Sequence, residues 1–370
     1  MGRQGRPARG GRHPELLVVR VLFDIVHPAH VHFFKHMIRG LEKHGHQTRI
    51  VARDKDVTNA LLDRLGFSYE TVGKPKKNLL GMAGELLRRD LALAKVAREL
   101  RADVIVTRNP AGAQAGRLLG IPSVFDTDDG KAAGVHFWSA APFAHVITTP
   151  DCADEDYGHR HVKYPGYKQT AYLHPNHFTP DRGVLGELGV NPGERYFIVR
   201  FVAMGASHDV GEGGLPASVK RTLVDKLRAR GRVFISSEGA LPEDLQPLRF
   251  SLPPDRLHDA LAFADLLVGD SQTMMAEAAV LGTPSLRVSS WTGRLAYLTE
   301  LEERYGLTFA YTPARAQELV AHVERWLMEP SLRTTLADSH QRLLRDKVDI
   351  ADWFVRFLEA GAPLPTYRQR

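Results

Sequence analysis

The feature that most constrains the fold is a strand–turn–helix–strand unit at residues 264–291. Leu266 to Val268 is the short apolar run of a buried strand, and it enters Gly269-Asp270-Ser271, a turn with helix-start chemistry. An Ala- and Met-rich helix follows from about Thr273 to Leu281. Gly282 closes it, Pro284 forbids its continuation, and Ser285 to Val288 reads as the next strand. Two strands joined through a helix in this way lie parallel in one sheet. The helix start leaves backbone N–H groups without intrahelical partners and carries about half a positive charge, which makes it an anion site. Gly269, Asp270, Ser271, Gln272 and Thr273 line that turn, and Glu277, about one turn further on, is within reach of a ribose hydroxyl.

The same alternation recurs along the chain. Strands are expected at Val19 to Ile25, Gln47 to Ala52, Phe67 to Val72, Val104 to Thr107, Ser123 to Phe125 and Val146 to Thr148, with helices at 30–44, 79–100 and 111–119 among them. Residues 150–195, rich in Pro, Gly, His and Tyr, read as a connection. A second series then runs through strands at Tyr196 to Phe201, Val233 to Ser236, Leu266 to Val268 and Ser285 to Val288. Helices are expected at 216–230, 256–263, 294–304, 314–328 and 331–345. A last helix at 348–359 could dock on either half. The expected class is α/β: two Rossmann-like doubly wound domains facing a central cleft. The division is 1–18 as a basic tail outside the fold, 19–172, 173–345, and 346–370 as a C-terminal helix and tail.

Charge narrows the partners. The chain of 370 residues carries a formal +6, but Arg3, Arg6, Arg9, Arg12, Arg368 and Arg370 sit at its ends. Without them the charge is about zero, so general nucleic-acid binding is not expected. A single cysteine, Cys152, excludes an intrachain disulfide and any multi-thiolate metal site, and fits a reducing cytoplasm. No stretch has the apolar length of a membrane span.

Ligands in such folds sit beyond the C-terminal ends of the strands, and polar clusters fall there. His27, His30 and His32 follow the first strand and suit acid–base work near neutrality. His32 and His36 share a helix face, yet no acidic or Cys partners complete a metal set, and no metal is expected. Asp126, Asp128 and Asp129 follow another strand and could orient a sugar hydroxyl or supply a base. Arg200, Ser207, His208 and Asp209 follow the first strand of the second half, and Ser236 to Gly239, with Glu238, the next. Lys74-Pro-Lys76-Lys77 before Met82 suits an anionic membrane surface or a lipid-linked acceptor as well as a solvated loop. Neither a GxxxxGK[ST] nor a strand-linked GxGxxG is present, so P-loop and nicotinamide sites lack support.

Asp24-Ile-Val-His27-Pro-Ala-His30-Val-His32-Phe33-Phe34, Ala52-Arg53-Asp54, Arg200-Phe-Val-Ala203 with Ser207-His208-Asp209, Ser236-Ser-Glu-Gly239 and the 269–284 stretch resemble domain of unknown function family 354. That resemblance implies the B-type glycosyltransferase fold. A more distant similarity links the chain to the hydrolysing UDP-N-acetylglucosamine 2-epimerases. It implies a diphosphate-binding turn at Asp270–Thr273, a ribose-binding Glu277 and a catalytic histidine near His208. Their Gly-Asp-Thr is here Thr107-Arg108-Asn109, their two glutamates are represented only by Asp126–Asp129, and their paired glycines are Gln272 and Thr273.

These readings lead to a UDP-sugar-dependent glycosyltransferase that needs no separate cofactor. The donor diphosphate is expected at Ser271–Thr273, assisted by Arg200 and His208, with Glu277 on the ribose. His30 or His32 is the expected base on an acceptor, lipid-linked or small, held by the first half. An epimerase would instead use Asp126, Asp128 or Asp129 at sugar C2, and a binding protein would use neither. The expected location is the cytoplasm, with the inner membrane face as a place of contact.

Overall fold

The computed structural model describes residues 18–55, 57–74, 79–202 and 215–361. Two parallel sheets organise them. The first joins β1 (Arg20–Ile25), β2 (Gln47–Ala52), β3 (Glu70–Thr71), β4 (Val104–Thr107), β5 (Ser123–Asp126), β6 (Val146–Pro150) and β7 (His161–Tyr164), in the order β3-β2-β1-β4-β5-β6-β7. The second joins β8 (Tyr196–Phe201), β9 (Arg232–Ser237), β10 (Leu266–Gly269), β11 (Ser285–Val288) and β12 (Thr308–Tyr311), in the order β12-β11-β10-β8-β9. Every pairing is parallel, which explains the continuous apolar character of the central strands: helices cover both faces.

Strand order reverses between β1 and β4 in the first sheet and between β8 and β10 in the second. Those reversal points open a crevice at the C-terminal strand ends. Both strands at the first reversal feed a helix in the same way. His27 Nδ1 accepts the Ala29 N–H at 3.2 Å ahead of the Pro28–Lys43 helix, and Asn109 Oδ1 accepts the Ala111 N–H at 3.3 Å ahead of Pro110–Leu119. Proline in the first helical position loses nothing there, because its missing N–H would have had no intrahelical acceptor.

Several expectations need correction. Residues 150–195 are more than a connection, since His161–Tyr164 adds the edge strand β7. Its His-Val-Lys-Tyr sequence is only partly buried and lacks the apolar run of a central strand. The four-residue edge strand β12 was likewise not anticipated. The strand expected over 67–72 shrinks to Glu70–Thr71, while Tyr69 turns its hydroxyl to Asp63 Oδ1 at 2.8 Å. The helix expected at 331–345 divides into Leu332–Thr335 and Ala337–Asp346, and Val135–Ala140 is a helix not foreseen.

The C-terminal helix Ile350–Glu359 returns to the first half. Phe354 packs edge-on against Phe33 with ring centroids 5.7 Å apart, and Glu359 Oε1 takes His44 at 2.7 Å and His46 at 3.0 Å. A Cβ on Gly40 would stand 2.9 Å from Val355 Cγ2, so glycine lets the two helices meet.

Candidate active site

On the second sheet, β8 and β10 come unusually close at their C-terminal ends. A Cβ on Gly269 would lie 2.2 Å from the Arg200 carbonyl oxygen, so only glycine fits. Asp270 Oδ1 accepts the Val202 N–H at 2.7 Å and thereby fixes the chain leaving β8. That oxygen of the carboxylate is used by the scaffold of the turn. Ser271 is extended (φ −89°, ψ 123°) and caps the Gln272–Val280 helix, its Oγ accepting the Met274 N–H at 3.3 Å. The first-turn N–H groups of Gln272 and Thr273 lie ahead of the i−4 ladder. The Gln272 amide reaches Ser289 Oγ at 3.5 Å. Arg200 Nη1 donates to Ser236 Oγ at 2.8 Å and Nη2 pairs with Glu238, while its Nε has no partner among the described residues. Ser207, His208 and the rest of 203–214 lie outside the described residues, as do the lysines at 76 and 77.

Glu277 is 5% exposed and faces the first half. Tyr172 donates its hydroxyl to Glu277 Oε1 at 2.7 Å, and His258 Nε2 lies 3.2 Å from the same oxygen. Burial pushes this carboxyl up, but His258, Tyr172 and Lys168 outweigh it and hold it below the ordinary range. His32 completes the group, its ring 5.1 Å from His258 and 5.4 Å from Tyr172. The ring is neutral, with burial the main cause and His258 and Lys35 adding to it, and its buried Nδ1 has no partner among the described residues. His36 is separated from it in environment, stacking on His177 at 4.3 Å.

The first half supplies a buried charge network at the ends of β4, β5 and β7. Arg108 pairs through Nη1 with Asp126 and through Nη2 with Asp128, and Lys168 Nζ lies 2.7 Å from Asp128 Oδ2. Thr148 Oγ1 donates to Asp126 Oδ1 at 2.9 Å. The Arg108 guanidinium also lies over the Phe33 ring at 4.9 Å, and His136 Nε2 donates to the Arg108 carbonyl at 3.0 Å. Two cations thus stand where a divalent ion would need open carboxylates. Burial pushes both carboxyls up; Arg108 and Lys168 reverse this for Asp128, whereas Asp126 stays at about 6. His30 stands beside this network. Burial, then Arg108, His27, Lys168 and His136, hold its imidazole neutral, well below the ordinary range. Its Nδ1 accepts the Val26 N–H at 3.5 Å, which leaves the ring proton on Nε2. His30 therefore presents a donor to the crevice.

Lys168, Tyr172, His258, Tyr297 and Arg287 were not singled out from the sequence. Arg287, near the end of β11, is 1% exposed, and its Nε and Nη1 have no partner among the described residues. Burial pushes its guanidinium below the ordinary range, against the pull of Tyr297 and Glu302. Tyr297 feels Asp128 and Asp129 from the first half and Arg287 from the second, so its buried hydroxyl stands between the halves. One signal was available: an arginine inside Ser285-Leu-Arg-Val, a strand expected to be buried. Cys152 makes no nucleophile, since burial, then Glu300, pushes its thiol up. No helix among the described residues is long and apolar enough to cross a membrane.

This architecture recurs in known proteins. A UDP-GlcNAc 2-epimerase from Neisseria meningitidis, bound to UDP-GlcNAc, superposes with a TM-score of 0.67 at 10% identity, over 92% of this chain and 99% of that one. The spinosyn forosaminyltransferase SpnP superposes at 0.63 with 16% identity, over 93% and 100%. The fold is therefore the two-domain B-type glycosyltransferase fold. An uncharacterised protein of Methanocaldococcus jannaschii is 22% identical over 278 residues, 72% of this chain and 80% of that protein. Residues 19–305 match the model of the family described as "Protein of unknown function (DUF354)", and the chain belongs to that family.

Proposed function

We propose that this protein is a nucleotide-sugar-dependent glycosyltransferase, with UDP as the nucleotide. The observation that carries the reading is the way Arg108 and Lys168 engage Asp126 and Asp128. Epimerisation at sugar C2 needs a carboxylate ready to take a proton. Asp128 is instead held ionised by Arg108 and Lys168, well below the ordinary carboxyl range although burial pushes it up, which favours transfer.

In this reading the donor diphosphate lies on the N–H groups of Gln272 and Thr273, with Arg200 and Glu238 beside it and Glu277 on the ribose. Fixed N–H donors and buried cations stabilise charge that develops on the leaving diphosphate, and no separate cofactor is invoked. The sugar C1–O bond to the diphosphate breaks, the acceptor oxygen bonds to C1, and the acceptor proton passes to a base. His30, held as a neutral donor, serves the leaving oxygens, and the base is His32, whose Nδ1 has no partner among the described residues. The acceptor, lipid-linked or small, enters from the first half. A cytoplasmic site of action accords with the single thiol at Cys152.

The test is incubation with UDP-N-acetylglucosamine and related donors, with and without acceptor extract, following UDP release and sugar configuration by NMR. Acceptor-dependent UDP release is expected. A free C2-inverted sugar would establish the epimerase reading, and saturable binding without turnover a binding protein.

A further inference from the structure

Three neighbouring helices cover one face of the first sheet. Leu79–Leu100 and Pro110–Leu119 share the apolar layer containing Leu93, Ala97 and Ala115, and Pro110–Leu119 shares the next layer, with Ala113, Phe137 and Ala140, with Val135–Ala140. Their outward sides carry large apolar side chains that the fold leaves uncovered. Leu87 and Leu91 are 60% and 58% exposed, Val135 and Trp138 86% and 59%, and Leu118 and Phe143 are exposed as well. Positions 84, 87, 91, 95 and 98 fall on one stripe of the longest helix, so Leu87 and Leu91 continue into Lys95 and Arg98.

The exposed charge on the same helices is almost all positive. Arg88, Lys95, Arg98 and Arg117 are exposed, as is Arg101 just beyond the first helix, and the one exposed carboxylate, Glu99, lies 3.7 Å from Lys95. This excess belongs to a chain whose charge is otherwise balanced once its terminal arginines are set aside. Apolar and aromatic side chains flanked by long cationic ones suit the boundary of a bilayer with anionic headgroups. A second copy is a poor occupant, because an isologous contact would set these cations against themselves. Nucleic acid would neutralise the charge but leave Leu87, Leu91 and Val135 without a counterpart.

We propose that this face docks on an anionic membrane surface. Leu87, Leu91, Val135 and Trp138 enter the interfacial layer, and Lys95, Arg98, Arg101 and Arg117 meet the headgroups. The surface differs from the lysine run before Met82 and does not depend on the transfer reading. It adjoins the crevice: His136, next to Val135, donates to the Arg108 carbonyl at 3.0 Å. A docked chain would hold Arg108 near the bilayer, where an acceptor carried on a lipid could reach it.

The full-length chain can be co-sedimented with phosphatidylcholine vesicles containing or lacking phosphatidylglycerol. Binding is expected only to the anionic vesicles, weakening with added salt. Lys95→Glu/Arg98→Glu is expected to reduce it roughly tenfold or more, and Leu87→Glu/Leu91→Glu to a similar extent. All four positions are exposed, so thermal unfolding should remain that of the wild type and separate a docking defect from a folding one. Three results would overturn the proposal: no vesicle binding, equal binding by wild type and both double variants, or tighter binding to nucleic acid than to vesicles. A stable dimer in light scattering that Leu87→Glu/Leu91→Glu dissociates would overturn it too, by assigning the face to self-association.

Discussion

The Tyr172 hydroxyl and Glu277 Oε1 lie 2.7 Å apart, joining residues 105 positions distant in the chain and tying the first half to the Gln272–Val280 helix of the second. Glu277 also has His258 at 3.2 Å, so this carboxylate is held even without ligand. Tyr172→Phe removes one of two partners from a buried anion, and about 1–3 kcal/mol of stability should be lost. In urea denaturation it should therefore be clearly less stable than the wild type. Glu277→Gln keeps the shape of the side chain but loses its charge, and should weaken UDP binding in calorimetry by about tenfold. Unaltered UDP affinity in that variant would remove Glu277 from the donor site.

Arg108 holds two buried carboxylates. Arg108→Leu would leave Asp126 without its cation and Asp128 with Lys168 alone, a loss of about 3–5 kcal/mol on general experience with buried pairs. Asp126→Asn in the same chain should recover part of it, because the one unpaired charge disappears. Denaturant midpoints for the single and double variants test this coupling. Additive effects would mean that the two residues do not act as a pair.

His30 and His32 are two residues apart yet meet different surroundings. His30 offers Nε2–H, and a glutamine there retains a donor amide, so His30→Gln should keep a substantial part of transfer activity. His32→Gln cannot take a proton and should lose about 10²-fold or more in turnover, the usual weight of general base catalysis. A profile in which His30→Gln is the worse variant would reverse the two roles.

The alternation of apolar runs and capped helices made the doubly wound fold legible, because strands covered on both faces are apolar throughout. The edge strands escaped for the converse reason: His161–Tyr164 is half solvated, and Thr308–Tyr311 is fully buried only at alternate positions. At the site, Gly269, Ser271 and the Asp126–Asp129 cluster could be found because their neighbours in sequence carry the signal. Tyr172 and His258 could not, since each matters only through a partner brought up by the packing of the two halves. Asp270 illustrates a further limit. Its bond to the Val202 N–H depends on how the chain leaves β8, which the sequence around the aspartate does not display.

Acid should destabilise the protein over a defined window. Burial, then Lys35, holds His36 at about 3, and burial, then Arg325, holds His322 at about 4; His30 and His32 are also lowered. An unfolded histidine titrates near 6.5, so below about pH 7 the unfolded chain binds more protons at these four sites and stability falls as pH drops. Asp90 and Asp126, both at about 6, oppose this between about pH 4 and 6, where the folded chain holds the extra protons. His145, His161, His174 and His340 are lowered as well, chiefly by burial, and Asp270 and Glu302 raised by it, so the histidines outnumber the opposing carboxyls and leave a net loss. Melting temperature should be highest near pH 7–8 and decline towards pH 5, with a shallower decline in His36→Gln/His322→Gln. A melting temperature that rises from pH 7 to 5 would contradict this balance.

Arg287 gives stability and binding opposite signs. A buried guanidinium with two nitrogens lacking partners bears a desolvation cost that Tyr297 and Glu302 only partly offset, so Arg287→Met, similar in length and apolar, should be neutral or stabilise the free protein by about 1 kcal/mol or more. Arg287 pairs in register with Gly269, the residue before the Asp270-Ser271 turn, and lies close enough to Tyr297 to feel its hydroxyl. An anion in the crevice would supply the missing acceptors. UDP should therefore raise the denaturation midpoint of the wild type and do so much less for Arg287→Met. Denaturation curves with and without UDP for both proteins measure the two effects together. If the variant is destabilised yet keeps the full ligand-induced shift, Arg287 belongs to the packing of β11 and the donor is held elsewhere.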